Sequence, residues 1–384
     1  MEHQKANKRI AIVGGGIGGV TCAGALRKFG IMADVFEQAP EIKEIGAVLG
    51  VLPNGMQVLN FFGKVNELVA KGGPLKTFIV GNHKGKTFRK TFFNYSQPAL
   101  VVRRSDLLNT LLNTVDSAHL FTDHKLRQLE LLPSGTYVLH FANKPSREYD
   151  LVIGADGIRS VVRKFVVGED EPIYRGYNLW RGVAEFSHGL DASAEIWGPG
   201  LRVGYYPMGN THVGWWAAIE EAQDAFDGPA GAKEKLMERF KSWPDPIPKL
   251  FAESPNIIKN NIFDRVPSKP WMKGNVGIIG DAAHCTTPNL GQGANMAMES
   301  ALVLARCIHH YGPGEVAFRK YQEVQFKRTR GINRVSLILG IVGKFHNPIA
   351  LAIRNAILMY TPTAIITKTY DAHYSYNPAT VSIH

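Results

Sequence analysis

Gly14, Gly16 and Gly19 stand in GxGxxG spacing, directly after the apolar run Arg9-Ile-Ala-Ile-Val13 and at the head of a helical stretch reaching Phe29. Each glycine has a separate task. The first permits a tight turn, the second lets a pyrophosphate approach the backbone, and the third permits close helix packing; the helix N-terminus favours the negative charge. Glu37 follows the next strand, 32–36, where it is placed to accept hydrogen bonds from the hydroxyls of an adenosine ribose. An acid there disfavours a 2′-phosphate. Ile17, Gly18 and Gln38 flank these groups and are expected to line the same site. The pattern implies a bound dinucleotide and by itself leaves FAD and NAD open.

Two later segments bear on that choice. The first is Leu151-Val-Ile-Gly-Ala-Asp156-Gly157-Ile-Arg159-Ser160-Val-Val-Arg163; the second is Gly280-Asp281-Ala-Ala-His284-Cys-Thr-Thr-Pro288-Asn-Leu-Gly291-Gln292-Gly293. With the N-terminal glycine motif they resemble, in the right order over roughly residues 8–330, the fingerprints of the aromatic-hydroxylase class of flavoprotein monooxygenases. The resemblance implies an α/β (α+β) fold like that of para-hydroxybenzoate hydroxylase: a Rossmann-type FAD domain with an inserted β-sheet substrate domain and C-terminal helices. It implies one tightly bound FAD, with NAD(P)H and O2 as co-substrates. No second GxGxxG is present for a separate nicotinamide domain.

The same resemblance assigns residues. Asp281, with Gly280, would hold the flavin ribitol, and the segment from Pro288 through Gly291, Gln292 and Gly293 would lie against the isoalloxazine, where glycines let backbone approach a flat ring. A helix starting near Gly293, with Ala294 and Asn295, would aim its N-terminus at the pyrimidine edge and stabilise charge on the reduced flavin. Asp156 and Gly157 would serve both FAD and nicotinamide, with Arg163 beside them. Arg104, next to Arg103, matches an arginine that approaches the pyrophosphate. Ala47 and Val48, with Gly46, are small residues expected near a flavin that shifts between reducible and oxygenating positions. His284 invites a role as base; packing near the cofactor is the stronger reading, since a base must reach a substrate proton.

On the substrate side, Arg202, Gly204 and Tyr206 share one face of an expected strand. Trp180, Arg181, Trp215 and Trp216 come from neighbouring strands. Trp180, Arg202, Tyr206, Trp216 and Pro288 are the candidate substrate contacts, with Arg202, Pro288 and Gly291 nearest the chemistry; an arginine among aromatics suits a planar, electron-rich or anionic ring. Plain sheet core is an equal reading of the tryptophans. The loop and Arg202 look most like the salicylate- and urate-hydroxylase branch, but Asn289 and Gly214 stand where urate enzymes carry an aspartate and a tyrosine.

These residues need a scaffold of about two domains. The βαβ opening, the strand at 151–154 and the strand at 276–279 bracket aromatic-rich β segments at 78–93 and 175–219. The expected division is a discontinuous FAD domain (1–75, 100–172 and 270–330), a substrate domain (76–99 and 173–269) and a C-terminal helical segment (331–384). The stretches 335–343 and 348–366 are apolar, but the first is short and the second is interrupted by Arg354, Asn355 and Pro362, so no membrane span is expected. They read as helices over the core or a subunit contact in a homo-oligomer, with attachment to a lipid surface the lesser reading.

Three scattered cysteines indicate neither a zinc site nor a disulfide framework. They and the polar start point to the cytoplasm. The formal charge of +11 is spread along the chain, which argues against nucleic acid and for attraction of anionic small molecules. The implied activity is hydroxylation of a small aromatic or heteroaromatic substrate through a flavin C4a-hydroperoxide. A dehydrogenase or reductase without oxygen insertion is the second reading, and a non-catalytic flavin carrier the third.

Overall fold

The computed structural model describes residues 8–42 and 48–384. Ile10–Val13 is buried along its whole length, as a strand covered on both faces must be. It lies between Leu151–Gly154 and Asp34–Phe36, both parallel to it. A parallel pair needs a crossover, and the helix Ile17–Lys28 supplies it. Val276–Ile278 and Leu120–Phe121 extend the sheet in parallel, and the antiparallel Met272–Lys273 closes one edge. Strands from three distant parts of the chain thus build one nucleotide-type sheet.

Helix Gly293–Tyr311 is buried nearly all round and packs on Ile17–Lys28. At Gly18 the helices are close enough that a Cβ would stand in van der Waals contact with Ala297, 3.5 Å away. Helix Pro53–Phe62, with proline in its first turn and Gly63 at φ +71° ending it, packs on the same helix. A small antiparallel sheet joins Val48–Val51 to Leu100–Arg103 and Gly73–Pro74.

The second large sheet has seven strands: Ile257–Asp264, Ile173–Glu185, His212–Glu220, Leu201–Met208, Ser193–Trp197, Thr77–Asn82 and Thr87–Phe92, in that spatial order. All pairs are antiparallel except Ser193–Trp197 with Thr77–Asn82. Helices Ala232–Phe240 and Ile247–Ala252 pack their apolar residues on one face, with Trp180, Trp215 and Val203. The other face meets strand Val48–Val51, the turn Pro288–Leu290 and the end of helix Glu315–Gly343.

The C-terminal helices differ from the expectation. Residues 335–343 are the end of a 29-residue helix, Glu315–Gly343. The stretch 348–366 splits into Pro348–Tyr360 and Thr363–Tyr374, bent 83° apart at Thr361-Pro362, where the proline ring cannot continue the first helix. No single helix among the described residues is long and apolar enough to cross a membrane. Pro348–Tyr360 does not cover the core: only Arg354 is buried in it, and Ile349, Ile353, Ile357 and Tyr360 are exposed.

Candidate functional site

The glycine turn has the strain its sequence implies. Gly14 sits at φ +111°, and a Cβ there would enter the Ala155 carbonyl; one at Gly19 would overlap the Gly14 carbonyl oxygen. Gly16 is different: a Cβ there would meet nothing within 4 Å. It caps helix Ile17–Lys28 without any side-chain hydrogen bond, and the first turn contains no acid. Open, unsatisfied N–H groups at a positive helix end suit a pyrophosphate. Glu37 is half-buried beside the turn, one oxygen accepting from Gly15 N (2.8 Å) and the other from Ala39 N (2.9 Å). Each oxygen keeps a lone pair for a ribose hydroxyl. Gln38 is exposed next to it.

Asp281 opens a short helix after Gly280, which sits at φ +59°. Its carboxylate is open to the cleft on one side and surrounded by protein on the others. That enclosure pushes its pKa up, while Arg104 pulls it down. Arg104 is half-buried at the head of helix Arg104–Leu112, whereas Arg103 is exposed at a strand end. The charge that reaches Asp281 is therefore that of Arg104.

Asp156 turns inward. Its carboxylate accepts from Ser160 Oγ (2.5 Å), Val161 N (2.7 Å) and Val162 N (3.2 Å), capping helix Val161–Val167. Burial raises its pKa and these hydrogen bonds lower it. Gly157 follows at φ +79° with open space around it. Arg163 corrects the expectation of an arginine lining the cofactor cleft. It is 1% exposed, forked onto Asp170 and donating to Ser268 Oγ and the Ala282 carbonyl (2.9 Å). It braces the Asp281 turn from behind.

The segment from Pro288 forms one 3-10 turn, Pro288–Leu290, reverses at Gly291 (φ +62°), and enters helix Gly293–Tyr311. Nothing would meet a Cβ at Gly291 within 4 Å. The helix N-terminus again lacks a side-chain cap and an acid in its first turn, so it can stabilise negative charge on a group set against it. Gln292 and Asn295 point inward. Asn295 Oδ1 accepts from Leu52 N (3.0 Å), and its Nδ2 donates to the Gly50 carbonyl (3.0 Å) and the Gly291 carbonyl (2.9 Å). It ties this segment to the strand Val48–Val51. Ala294 is half-buried in the same first turn, and Ala47 lies outside the described residues.

A buried polar network that sequence reasoning missed lies beneath this turn. Asn54 donates to Gln292 Oε1 (2.8 Å) and Glu299 Oε1 (2.5 Å). The fully buried Glu299 is bridged by Arg328 (2.8 Å), which also donates to the His373 carbonyl (2.8 Å). An acid within the mostly apolar run 296–305 was the available signal, because a buried carboxylate needs a partner. His284 is buried too, its Nε2 bonded to Ser300 Oγ (2.7 Å), and burial holds its pKa down at about 4. It is neutral and turned into the core. Folded below its unfolded pKa of about 6.5, it lets the unfolded state bind the extra proton. Stability is therefore full above pH ~6.5 and falls by up to roughly 3 kcal/mol as pH drops toward 4. Urea midpoints across that range should fall for the native chain and flatten for His284→Gln.

On the seven-stranded sheet the candidates separate by strand parity. Trp180 and Trp215 belong to the face covered by helices, with Trp180 Nε1 donating to Asp227 (3.1 Å). Trp180 is thus removed as a substrate contact. Arg202, Gly204, Tyr206 and Trp216 share the opposite face. Trp216 lies over Gly204 and donates to Tyr206 Oη (3.0 Å). Arg202 is 2% exposed; it pairs with Glu195 (3.1 Å), hydrogen-bonds Asn289 Oδ1, and lies over the rings of Trp197 (4.8 Å) and Trp216 (5.5 Å). Burial raises the Glu195 pKa and Arg202 opposes it. Asn289 also donates to Tyr177 Oη (3.1 Å), Thr287 Oγ1 (2.9 Å) and the Ser336 carbonyl (2.8 Å). The sheet is thereby fastened to the 288–293 segment. Behind Thr287 lies a cavity of about 330 Å³ lined by Tyr174, Tyr177, Leu337 and Lys344; Arg202 is not among its walls.

Val48 fills the place a side chain at 214 would take, since a Cβ on Gly214 would run into its methyls. Both sit in strands, so neither backbone can yield cheaply. Gly214→Ala should cost about 1–3 kcal/mol through overpacking, read as a lower urea midpoint at unchanged m-value.

Taken together, the pyrophosphate turn, ribose acid, Asp281–Arg104 pair and glycine-lined turn fit an extended dinucleotide with a flat ring. The family model described as "FAD binding domain" matches residues 7–317. Aurachin C monooxygenase/isomerase of Stigmatella aurantiaca is 34% identical, over 92% of this chain and 94% of that protein. The 3-amino-4-hydroxybenzoate 2-monooxygenase of Streptomyces cremeus is 31% identical over 88% of both. In fold, Klebsiella pneumoniae HpxO, solved with FAD and uric acid, superposes with a TM-score of 0.87 at 24% identity, covering 96% of this chain and 97% of that one.

Proposed function

The chain belongs to the FAD binding domain family and, within it, to the FAD-dependent monooxygenases, and from that premise we propose that it uses NAD(P)H and O2 to hydroxylate a small aromatic or heteroaromatic ring. The observation that carries the reading is the junction at Asn289, where the turn expected to border the flavin is fastened to a sheet face bearing Arg202, Tyr206 and Trp216. Bound FAD supplies the passage of electrons from nicotinamide to oxygen. The chain supplies the rest. Gly16 and the first turn of its helix bind the pyrophosphate, Glu37 orients the adenosine ribose, and Asp281 with Arg104 holds the ribitol side. The N-terminus of helix Gly293–Tyr311 stabilises negative charge on the reduced ring. Trp216 and Tyr206 offer a flat, largely apolar wall that excludes water from the reacting carbon.

Arg202 acts by positioning. Glu195 already balances its charge and Asn289 takes one of its N–H groups, so it holds the wall and the turn in register rather than receiving a substrate carboxylate. This favours a neutral ring. The test is anaerobic reduction of the flavoprotein by NADH and by NADPH, with a panel of neutral and carboxylated aromatic ligands, followed by isotopically labelled O2. Reduction accelerated by a neutral ring and label in the product support the reading. Reoxidation with no labelled product for any ligand would overturn it in favour of a dehydrogenase.

A further inference from the structure

Helix Pro348–Tyr360 carries its apolar stripe on the outside. Ile349, Ile353, Ile357 and Tyr360 follow one another at helical spacing and are 72, 57, 60 and 76% exposed. Ala352 and Ala356, between them on the same face, are exposed as well. A stripe of this width normally faces a core, yet here the side turned to the protein contributes Arg354, which donates to the Gly198 carbonyl (3.1 Å). Both neighbouring helices also expose apolar side chains: Ile365 on the next helix is 56% exposed, and Ile338 and Ile341 at the end of the long helix are 57 and 48% exposed.

The chain that builds this surface is basic, with Glu220 (paired with His346), Glu323 and Asp371 as the acids at its margins. From residue 324 to residue 370 the chain contains no aspartate or glutamate, while Lys327, Arg330, Arg334 and Lys368 are exposed. On the long helix Lys327, Arg330 and Arg334 lead at three- and four-residue steps into Ile338 and Ile341, so its outer face passes from basic to apolar. Strand Thr87–Phe92, against which Pro348–Tyr360 packs, adds exposed Lys90 and a 71% exposed Phe92, and the turn before it adds Lys84 and Lys86.

We propose that the C-terminal helix pair is a docking surface for an anionic lipid bilayer, with the isoleucine stripe of Pro348–Tyr360 and Ile365 entering the interface and the surrounding lysines and arginines meeting the headgroups. An apolar face with basic flanks is what an interfacial helix requires. At 13 and 12 residues the two helices would each reach only about 20 Å, short of a hydrocarbon core of roughly 30 Å, so they lie on the surface and do not cross it. A second copy of the chain is the weaker occupant, because a two-fold interface would set one basic surface against another.

The experiment is flotation of the full-length, flavin-loaded protein with vesicles of phosphatidylcholine containing about one third phosphatidylglycerol, and with phosphatidylcholine alone. Wild type should float with the anionic vesicles. It should be at least roughly tenfold less bound to the neutral ones, and bind less at high salt. Ile353→Asp/Ile357→Asp should abolish flotation, and Arg330→Gln/Arg334→Gln should weaken it several-fold. Flavin content and melting temperature should match wild type in both, since these side chains are exposed. Wild type staying with the lipid-free fraction, equal flotation on both vesicle types, or equal flotation of the isoleucine variant would each overturn the proposal. So would a wild-type dimer in velocity sedimentation that the isoleucine variant splits, which would make a second copy the occupant. None of these readouts depends on which ring the enzyme oxidises.

Discussion

Gly16→Val is expected to give a folded protein that purifies without flavin. The three glycines of the turn differ in what surrounds them. At Gly14 and Gly19 a side chain would strike the turn's own backbone, so substitution there damages the fold and says little about the ligand. At Gly16 a Cβ would meet nothing within 4 Å, and its extended backbone is one valine adopts, so the loss is confined to a poorer helix cap, about 1 kcal/mol. The added methyls would occupy the space through which a pyrophosphate reaches the helix N-terminus. FAD affinity should therefore fall on the order of a hundredfold or more, equivalent to roughly 3 kcal/mol, while the melting temperature of the flavin-free protein stays within a few degrees of flavin-free wild type. Flavin absorbance per protein and a titration with added FAD are the measurements. Full occupancy of the variant would show that the cofactor lies elsewhere, and a melting temperature lowered by more than the cap accounts for would show that the open space is needed by the fold itself.

The largest effect on stability is expected at Arg328→Ala. Glu299 is fully buried, and Arg328 meets both of its oxygens at 2.8 Å. Without the guanidinium a carboxylate is left in the core with Asn54 as its remaining donor. Removing one partner of such a pair typically costs about 3–5 kcal/mol, whereas replacing both by apolar groups of similar volume costs far less. The double variant Glu299→Leu/Arg328→Met should accordingly recover much of the urea midpoint that Arg328→Ala loses. The pair also joins Gln292, through Asn54, to the end of helix Thr363–Tyr374, through the Arg328 bond to the His373 carbonyl. Arg328→Ala should therefore loosen flavin binding in addition to lowering stability. Additive losses in the two single variants would mean that the charges do not interact as drawn.

The separation of the tryptophans shows what strand alternation does and does not carry. That Arg202, Gly204 and Tyr206 share a face was readable from period-two spacing. Which face of the sheet Trp180 would join was not, because parity relates residues within one strand and the register between strands is set by pairing. Trp180 lies opposite Ala217 and Trp216 opposite Arg181 and Gly204. One shift of register would exchange them.

From the sequence alone came the local objects: the strand, turn and helix around Gly14, Gly16 and Gly19, the acid at Glu37, the Gly280-Asp281 segment and the glycines at 291 and 293, and, through the family resemblance they carry, the fold class and the FAD. Each is specified within a few residues by backbone conformations and close approaches that only certain residue types permit. The tertiary structure decided where the remaining charges went. Arg163 was turned from the cleft into Asp170 and the Ala282 carbonyl, Arg202 was matched to Glu195 and to Asn289, 87 positions away, and Asn54 was joined to Glu299 across 245 positions. A long charged side chain can reach many partners, and the one it takes is settled by which distant segment the fold brings within about 3 Å and shields from water. The same process left the isoleucines of Pro348–Tyr360 outside, although their spacing alone is that of a helix facing a core.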